Sequence, residues 1–309
     1  MNFMQAKEGF LGLDDQWTHP ELAKAVILPV PYEQTTSYGG GTAHGPMALI
    51  NASHQVELYD DELHTEPYQQ WHGVATAEPL HLDNLQDDKA VTYIAQQAAE
   101  LASQKKLVVG LGGEHTVTAG LIAAQVQQNP SLTVLQIDAH TDLRESYEGN
   151  RWSHASVMAR VRDLNVSTVA VGIRSQCAEE ADRIRREHLP IWYAHDLRIR
   201  AVRDGWNSWF DEVIAALGDS VYITIDVDGF DPSIIPATGT PEPGGLLWHE
   251  VLGLLRHVCL QRQVIAFDVV ELAPTSSSHH SEFTAAKLTY KMLGYIAAGK
   301  QTFMEVPLK

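Results

Sequence analysis

The sequence predicts an α/β fold, a mostly parallel sheet covered by helices on both faces to give three layers. Short apolar runs alternate with longer amphipathic segments along the whole 309 residues, the pattern of repeated βα units. No Pro/Gly/Ser linker and no internal repeat divides the chain, so residues 1–309 are read as one domain with ample length for a buried core. His and Asp cluster directly after several apolar runs, at the strand ends where an open parallel sheet collects ligands.

Strands are expected at 25–30, 107–111, 132–137, 168–171, 191–194, 221–225 and 264–270. These short apolar runs read as strands buried on both faces. Helices are expected between them at 88–103, 117–128, 178–187, 206–217, 248–259 and 283–298. Tyr38-Gly-Gly-Gly-Thr42 and Pro241-Glu-Pro-Gly-Gly245 read as loops. Neither has the spacing of a dinucleotide or phosphate-binding fingerprint, so nucleotide binding is not expected.

Composition narrows the partners. A formal net charge of -17 repels phosphate and attracts cations, which argues against nucleic acid or an anionic membrane and suits a small cationic substrate. Cys177 and Cys259 are too few and too far apart for a disulfide framework or a thiolate zinc site. Residues 1–17 lack an apolar core of signal-peptide type, and no stretch approaches the roughly 20 apolar residues of a membrane span. A cytoplasmic protein is expected.

Two carboxylate-rich segments carry the chemistry. Asp138-Ala-His140-Thr-Asp142 follows the run 132–137, and Asp226-Val-Asp228 follows 221–225. Alternate side chains of a strand share one face, so Asp138, His140 and Asp142 point one way, as do Asp226 and Asp228. Four carboxylates at buried strand ends repel one another and lose hydration unless a cation neutralises them. Gly112-Gly113-Glu114-His115 ends a third run, where glycines let backbones approach and His115 can turn inward.

A donor set of His and Asp without Cys favours Mn²⁺, with Ni²⁺, Co²⁺ and Zn²⁺ left open. Two ions balance four aspartates. Water bridging two such ions loses a proton near neutral pH, which points to hydrolysis of an unreactive carbon centre.

With these residues in view the sequence resembles the ureohydrolases, the family of arginases and agmatinases. The resemblance rests on GGEHT (112–116), DAHTD (138–142), SHAS (153–156), DVDGFDPSIIPATGTPEPGG (226–245) and DVVELAP (268–274), in the family's order across about half the chain. The stretch PYEQTTSYGGGTAHGP (31–46) is similar to the opening of agmatinase-like members. The resemblance implies an arginase-like fold with a central sheet of about eight strands, two Mn²⁺ per subunit, hydrolysis of a guanidine to urea and an amine, and a homo-oligomer, trimer or hexamer. By matching position, His115, Asp138, Asp142 and Asp226 hold one ion, and Asp138, His140, Asp226 and Asp228 the other, with a hydroxide bridging the pair. Glu271 matches the guanidinium-binding carboxylate and His154 the histidine that shuttles protons to the leaving amine. Asp142 also accepts a hydrogen bond from the hydroxide, and Thr240 helps orient the guanidine, with Thr238 its near neighbour.

Substrate choice follows from the loop after DAHTD. Family arginases carry Asn-x-His-Gly there, whereas this chain has Gly149-Asn-Arg-Trp-Ser-His154, so arginine is disfavoured. Agmatine, giving putrescine and urea, leads; guanidinobutyrate, guanidinopropionate, N1-aminopropylagmatine and guanidine follow. Arg144 or Arg151 near a channel mouth would suit a guanidino acid. Two other classes compete: a non-catalytic ligand-binding member of the fold, whose signature would be a lost ligand residue, and a dimetal hydrolase acting on amides or phosphoesters, which lacks support from any phosphate-binding loop. The His279-His280 pair, Trp152, Tyr147 and Trp206 receive no site role.

Overall fold

Alternating burial sets how the strands lie. The computed structural model describes residues 1–305, whose strands are β1 (Ala25–Val30), β2 (Val74–Thr76), β3 (Leu107–Gly112), β4 (Thr133–Ile137), β5 (Ser167–Ile173), β6 (Ile191–Tyr193), β7 (Ser220–Asp226) and β8 (Gln263–Val270). In β1, Ala25 and Ile27 enter one core while Val26, Leu28 and Val30 enter the other. In β7 the same alternation sends Val221, Ile223 and Ile225 one way and Tyr222 the other. Both faces are therefore apolar, as a sheet sandwiched between helices requires.

The helices are α1 (Gly45–Ser53), α2 (Pro67–Gln70), α3 (Asp87–Ser103), α4 (Val117–Val126), α5 (Val157–Asp163), α6 (Ala178–Glu187), α7 (Ala194–Asp204), α8 (Phe210–Ala216), α9 (Trp248–Gln261) and α10 (His280–Glu305). Residues of α1, α8, α9 and α10 share one core, and residues of α3, α4 and α5 share the other. The expected three layers are present. None of the described helices is long and apolar enough to cross a membrane.

The strands form one all-parallel, eight-stranded sheet in the order β2-β1-β3-β8-β7-β4-β5-β6. After β3 the chain passes over two positions before laying down β4, and β7 and β8 later fill the gap. Thus the four adjacent central strands β3, β8, β7 and β4 come from distant parts of the chain. Their carboxyl ends meet.

Several elements escaped the sequence. β2 has three residues, too few for a periodic signal. α1 begins at Gly45-Pro46, where no helix is expected from the sequence although Pro suits the first turn of a helix. α5 and α7 were also missed, and Ala194, expected at a strand end, opens α7 instead. α8 starts at Phe210 rather than 206, because Gly205 adopts φ 104° and Trp206 turns back edge-on to Phe210, with ring centroids 5.4 Å apart.

Beyond β3 the backbone stays zipped. Gly113 donates to Val30 O at 2.9 Å, Glu114 donates to Tyr32 O at 2.8 Å, and Gly113 O accepts from Glu271 at 2.9 Å. A Cβ on Gly113 would lie 2.1 Å from Tyr32 O, so only glycine permits this approach. Gly113→Ala is expected to lower the unfolding free energy by about 1–3 kcal/mol, read as a lower urea midpoint at unchanged slope.

Candidate metal centre

Each of the four central strands delivers part of one polar cluster. His115 follows β3, Asp138, His140 and Asp142 follow β4, Asp226 ends β7 with Asp228 in the turn after it, and Glu271 follows β8. Asp138 is 0% exposed and Asp228 2%. All six residues matched to metal ligands, together with Glu271, therefore meet at one end of the sheet.

Two subclusters share Asp138. His115 Nδ1 lies 3.2 Å from Asp138 Oδ2, 3.0 Å from Asp142 Oδ2 and 3.4 Å from Asp226 Oδ2. His140 Nδ1 lies 3.0 Å from Asp228 Oδ2 and 3.8 Å from Asp138 Oδ1. His115, Asp138 and Asp226 form one group able to hold an ion, and Asp138, His140 and Asp228 another.

Backbone donors aim the carboxylates. Asp138 Oδ1 accepts from His140 N at 2.6 Å, Asp228 Oδ1 from Ala139 N at 3.0 Å, and Asp226 Oδ1 from Asp228 N at 2.9 Å. The other oxygen of each carboxylate is turned toward an imidazole. Arg174 holds the turn after β7 by donating to the carbonyls of Asp228 at 2.7 Å, Phe230 at 3.2 Å and Glu242 at 2.6 Å.

His115 decides whether a cation fits. Its Nε2 is 2.9 Å from Thr224 Oγ1, and that hydroxyl donates to the buried Asp268 at 2.7 Å. The hydroxyl proton is thereby committed, so Nε2–H donates to Thr224 and Nδ1 alone faces three carboxylate oxygens; burial lowers the imidazole, but Asp138, Asp142 and Asp226 outweigh it and raise it well above its usual value, so Nδ1 holds a proton until a cation displaces it. Nδ1 is buried and makes no hydrogen bond. A lone pair surrounded by anionic oxygens is repulsive unless a cation sits among them, and carboxylate with imidazole suits a divalent ion.

Protons are the cation's rivals. Burial raises Asp138 and Asp226, with Asp228 repelling both, and burial followed by Asp138 raises Asp142 to about 7. Burial lowers His140, but hydrogen bonding to Asp228 and the facing carboxylates outweigh it and lift the imidazole to about 11. Burial opposes Asp228 too, yet His140 brings it below its usual range.

Around the cluster a cavity of about 280 Å³ is lined by His140, Asp142, Asp226, Asp228, His154, Thr240 and Glu271, the volume of a small-molecule site. Among the described contacts the Glu271 side chain takes a single hydrogen bond, from His115 N at 2.6 Å. Burial raises its carboxyl well above the usual range, with Glu114 and Asp228 adding to the effect. His154 is pushed down to about 4 by burial first and then by His115 and His140; divalent ions there would act in the same direction.

A model of the arginase family matches residues 23–294. The chain belongs to the arginase family. An N(1)-aminopropylagmatine ureohydrolase of Synechocystis sp. is 44% identical over 279 residues, covering 88% of this chain and 89% of its own. An agmatinase of Pyrococcus horikoshii is 31% identical, covering 89% of this chain and 93% of its own. The crystal structure of agmatine ureohydrolase from Thermoplasma volcanium superposes with a TM-score of 0.81 at 27% identity over 97% of both chains.

Within this family frame, the cavity separates residues that the sequence left together. Arg144 lines it, whereas Arg151 points away to Asp163 at 3.1 Å and Glu145 at 3.3 Å. Thr240 lines it, whereas Thr238 is absent from the wall. His279 is exposed, Trp152 packs under the second core and Trp206 lies on Phe210, while Tyr147 faces the cavity. Thr35, Ser37, Gln176, Glu180 and Glu242 also line the cavity and were not singled out. The 31–46 stretch and the 226–245 stretch that contains Glu242 stood out by resemblance, and no pattern pointed to Gln176 or Glu180.

Metal binding should compete with protons, because the imidazolium must lose a proton and Asp142 must be ionised before a cation can enter. Apparent Mn²⁺ affinity is therefore expected to rise with pH and to fall steeply below about pH 7; calorimetry in buffers of different ionisation enthalpy should register proton release, and release of none would contradict it. Thr224→Val removes the partner of His115 Nε2 and is expected to weaken Mn²⁺ binding about 10- to 100-fold by equilibrium dialysis.

Proposed function

We propose that this chain hydrolyses a cationic guanidine to urea and an amine at two Mn²⁺ ions, with N1-aminopropylagmatine the leading substrate and agmatine the second. The observation that carries the reading is Glu271, a cavity-lining carboxylate beside the six-residue cluster, raised by burial and without a cationic partner among the described residues. A carboxylate in that state gains most from a planar cation with forked N–H donors. The sequence placed agmatine first; the relative at 44% identity, named for N1-aminopropylagmatine, moves the longer substrate ahead.

His115, Asp138, Asp142 and Asp226 would hold one ion, and Asp138, His140, Asp226 and Asp228 the other. Bound there, the ions supply positive charge that makes water acidic enough to attack near neutral pH. Glu271 binds the guanidinium and turns its carbon toward the cluster, with Thr240, another lining residue, offering a hydroxyl. Asp142, at the inner edge of the cavity, accepts a hydrogen bond from the attacking water. His154, neutral at rest, takes up a proton and returns it to the leaving amine.

Urea release from Mn²⁺-loaded protein should be measured across N1-aminopropylagmatine, agmatine, guanidinobutyrate, guanidinopropionate, arginine and guanidine. The first two should dominate in kcat/KM, and urea from none of the six would overturn the proposal. Glu271→Gln keeps the shape and loses the charge, so kcat/KM should fall about 100-fold or more while the Mn²⁺ content stays at two per subunit.

A further inference from the structure

The loop after β1 joins His154 to a buried carboxylate through one hydroxyl. Glu114 accepts the backbone N–H groups of Gln34 and Thr35 through Oε2, each at 2.6 Å. Its Oε1 accepts the hydroxyls of Thr35 at 2.8 Å and Thr116 at 2.5 Å. Thr35 Oγ1 also accepts the backbone N–H of His154 at 3.1 Å and stands 3.0 Å from His154 Nδ1.

A hydroxyl has one proton to give. With that proton on Glu114, Thr35 Oγ1 can only accept from the imidazole, so Nδ1 carries hydrogen and Nε2 is bare. The opposite tautomer would need Thr35 to donate twice, leaving one half-buried contact unmade. On the cavity wall Ser37 Oγ stands 2.8 Å from Nε2 and 3.5 Å from the Tyr147 hydroxyl, so the shorter contact claims the serine proton, and the Tyr147 ring lies edge-on to the imidazole at 5.6 Å.

We infer that Thr35, backed by Glu114, is a positioning residue that holds His154 as its Nδ1–H tautomer and presents Nε2, through the Ser37 hydroxyl, to the leaving nitrogen of the substrate. This rests on the hydrolysis proposed above and assigns groups to its proton transfer. The step balances: the Nε2–H bond of the imidazolium breaks as Ser37 Oγ takes that proton, and Ser37 passes its own proton to the nitrogen departing with the C–N electron pair. His154 ends neutral with its Nδ1–H still on Thr35. Imidazolium charge is met throughout by an oxygen already polarised toward a carboxylate.

Thr35→Val removes the hydroxyl at nearly constant volume, and Thr35→Ser keeps it. In the Mn²⁺-loaded protein, Thr35→Val is expected to lower kcat about 100-fold with KM changed less than about threefold, and Thr35→Ser to recover most of the loss. Undiminished kcat in Thr35→Val, or equal loss in both variants, would overturn the inference. Imidazole ¹⁵N shifts of the wild-type protein loaded with diamagnetic Zn²⁺, assigned by comparison with His154→Asn, test the tautomer without turnover. Hydrogen on Nδ1 supports the inference and hydrogen on Nε2 overturns it, even if no substrate releases urea and the functional proposal itself has failed.

Discussion

Everything at the carboxyl end of the sheet answers one constraint: Asp138, Asp142, Asp226 and Asp228 are confined together with almost no access to water. Such a cluster holds its shape only if fixed donors take some of the charge and a cation takes the rest. Backbone N–H groups meet one oxygen on each of Asp138, Asp226 and Asp228, and Arg174 ties down the carbonyls beneath. Asp142 and Glu271 are held at φ 52° and φ 64°, left-handed values that residues with a side chain adopt at a cost. Surrounding hydrogen bonds hold them there, because these backbone turns aim the two carboxylates into the cavity.

Two histidines of opposite duty are oriented by the same device. Beside His115, Thr224 gives its proton to Asp268 and receives the imidazole at Nε2, which frees Nδ1 toward the carboxylates. Beside His154, Thr35 gives its proton to Glu114 and meets the imidazole at Nδ1, which frees Nε2 toward the cavity. Each histidine thereby has one committed nitrogen and one available one. The fold controls which is which by the element from which the threonine comes: Thr224 sits within β7, and Thr35 in the loop after β1.

The residues most legible in the sequence are those repeated at strand ends, since an apolar run followed by alternating Asp and His encodes both the strand and the face. Seven of the eight strands were readable from their apolar runs, and six of the clustered residues from the Asp and His that follow three of those runs, whereas Glu271 stood out only through the family resemblance. Strand order was not readable. Nothing local tells β4 to skip two positions that β7 and β8 later fill, and that crossing is what brings four strand ends together. Thr35 and Ser37 were invisible for a related reason: their partners Glu114 and His154 lie 79 and 117 residues away, and hydroxyls in a Gly-rich loop look like ordinary turn residues. Glu114 stood inside a quoted motif, yet its use depends on that loop returning over it.

Charge at the mouth bears on the substrate's far end, and its magnitude decides how much. Among the cavity-lining residues, Arg144 is the one arginine or lysine, and it is engaged, 5.5 Å above the Tyr147 ring and 3.9 Å from Glu180. A tail carboxylate would have to share Arg144 with Glu180 and face Glu242. A tail ammonium meets Glu242, whose described partner is His140 Nε2 at 3.9 Å. The Glu242 side chain is 38% exposed, so solvent screening reduces such a contact to about 1 kcal/mol or less, a few-fold in affinity. Glu271, half-buried on the cavity wall, discriminates more strongly, because burial raises its carboxyl well above the usual range and a guanidinium there restores the ionised form. Guanidine recognition is therefore steep and tail recognition shallow. On such a scaffold, preference among polyamine-tailed guanidines can shift through rim residues alone while the cluster beneath stays unchanged.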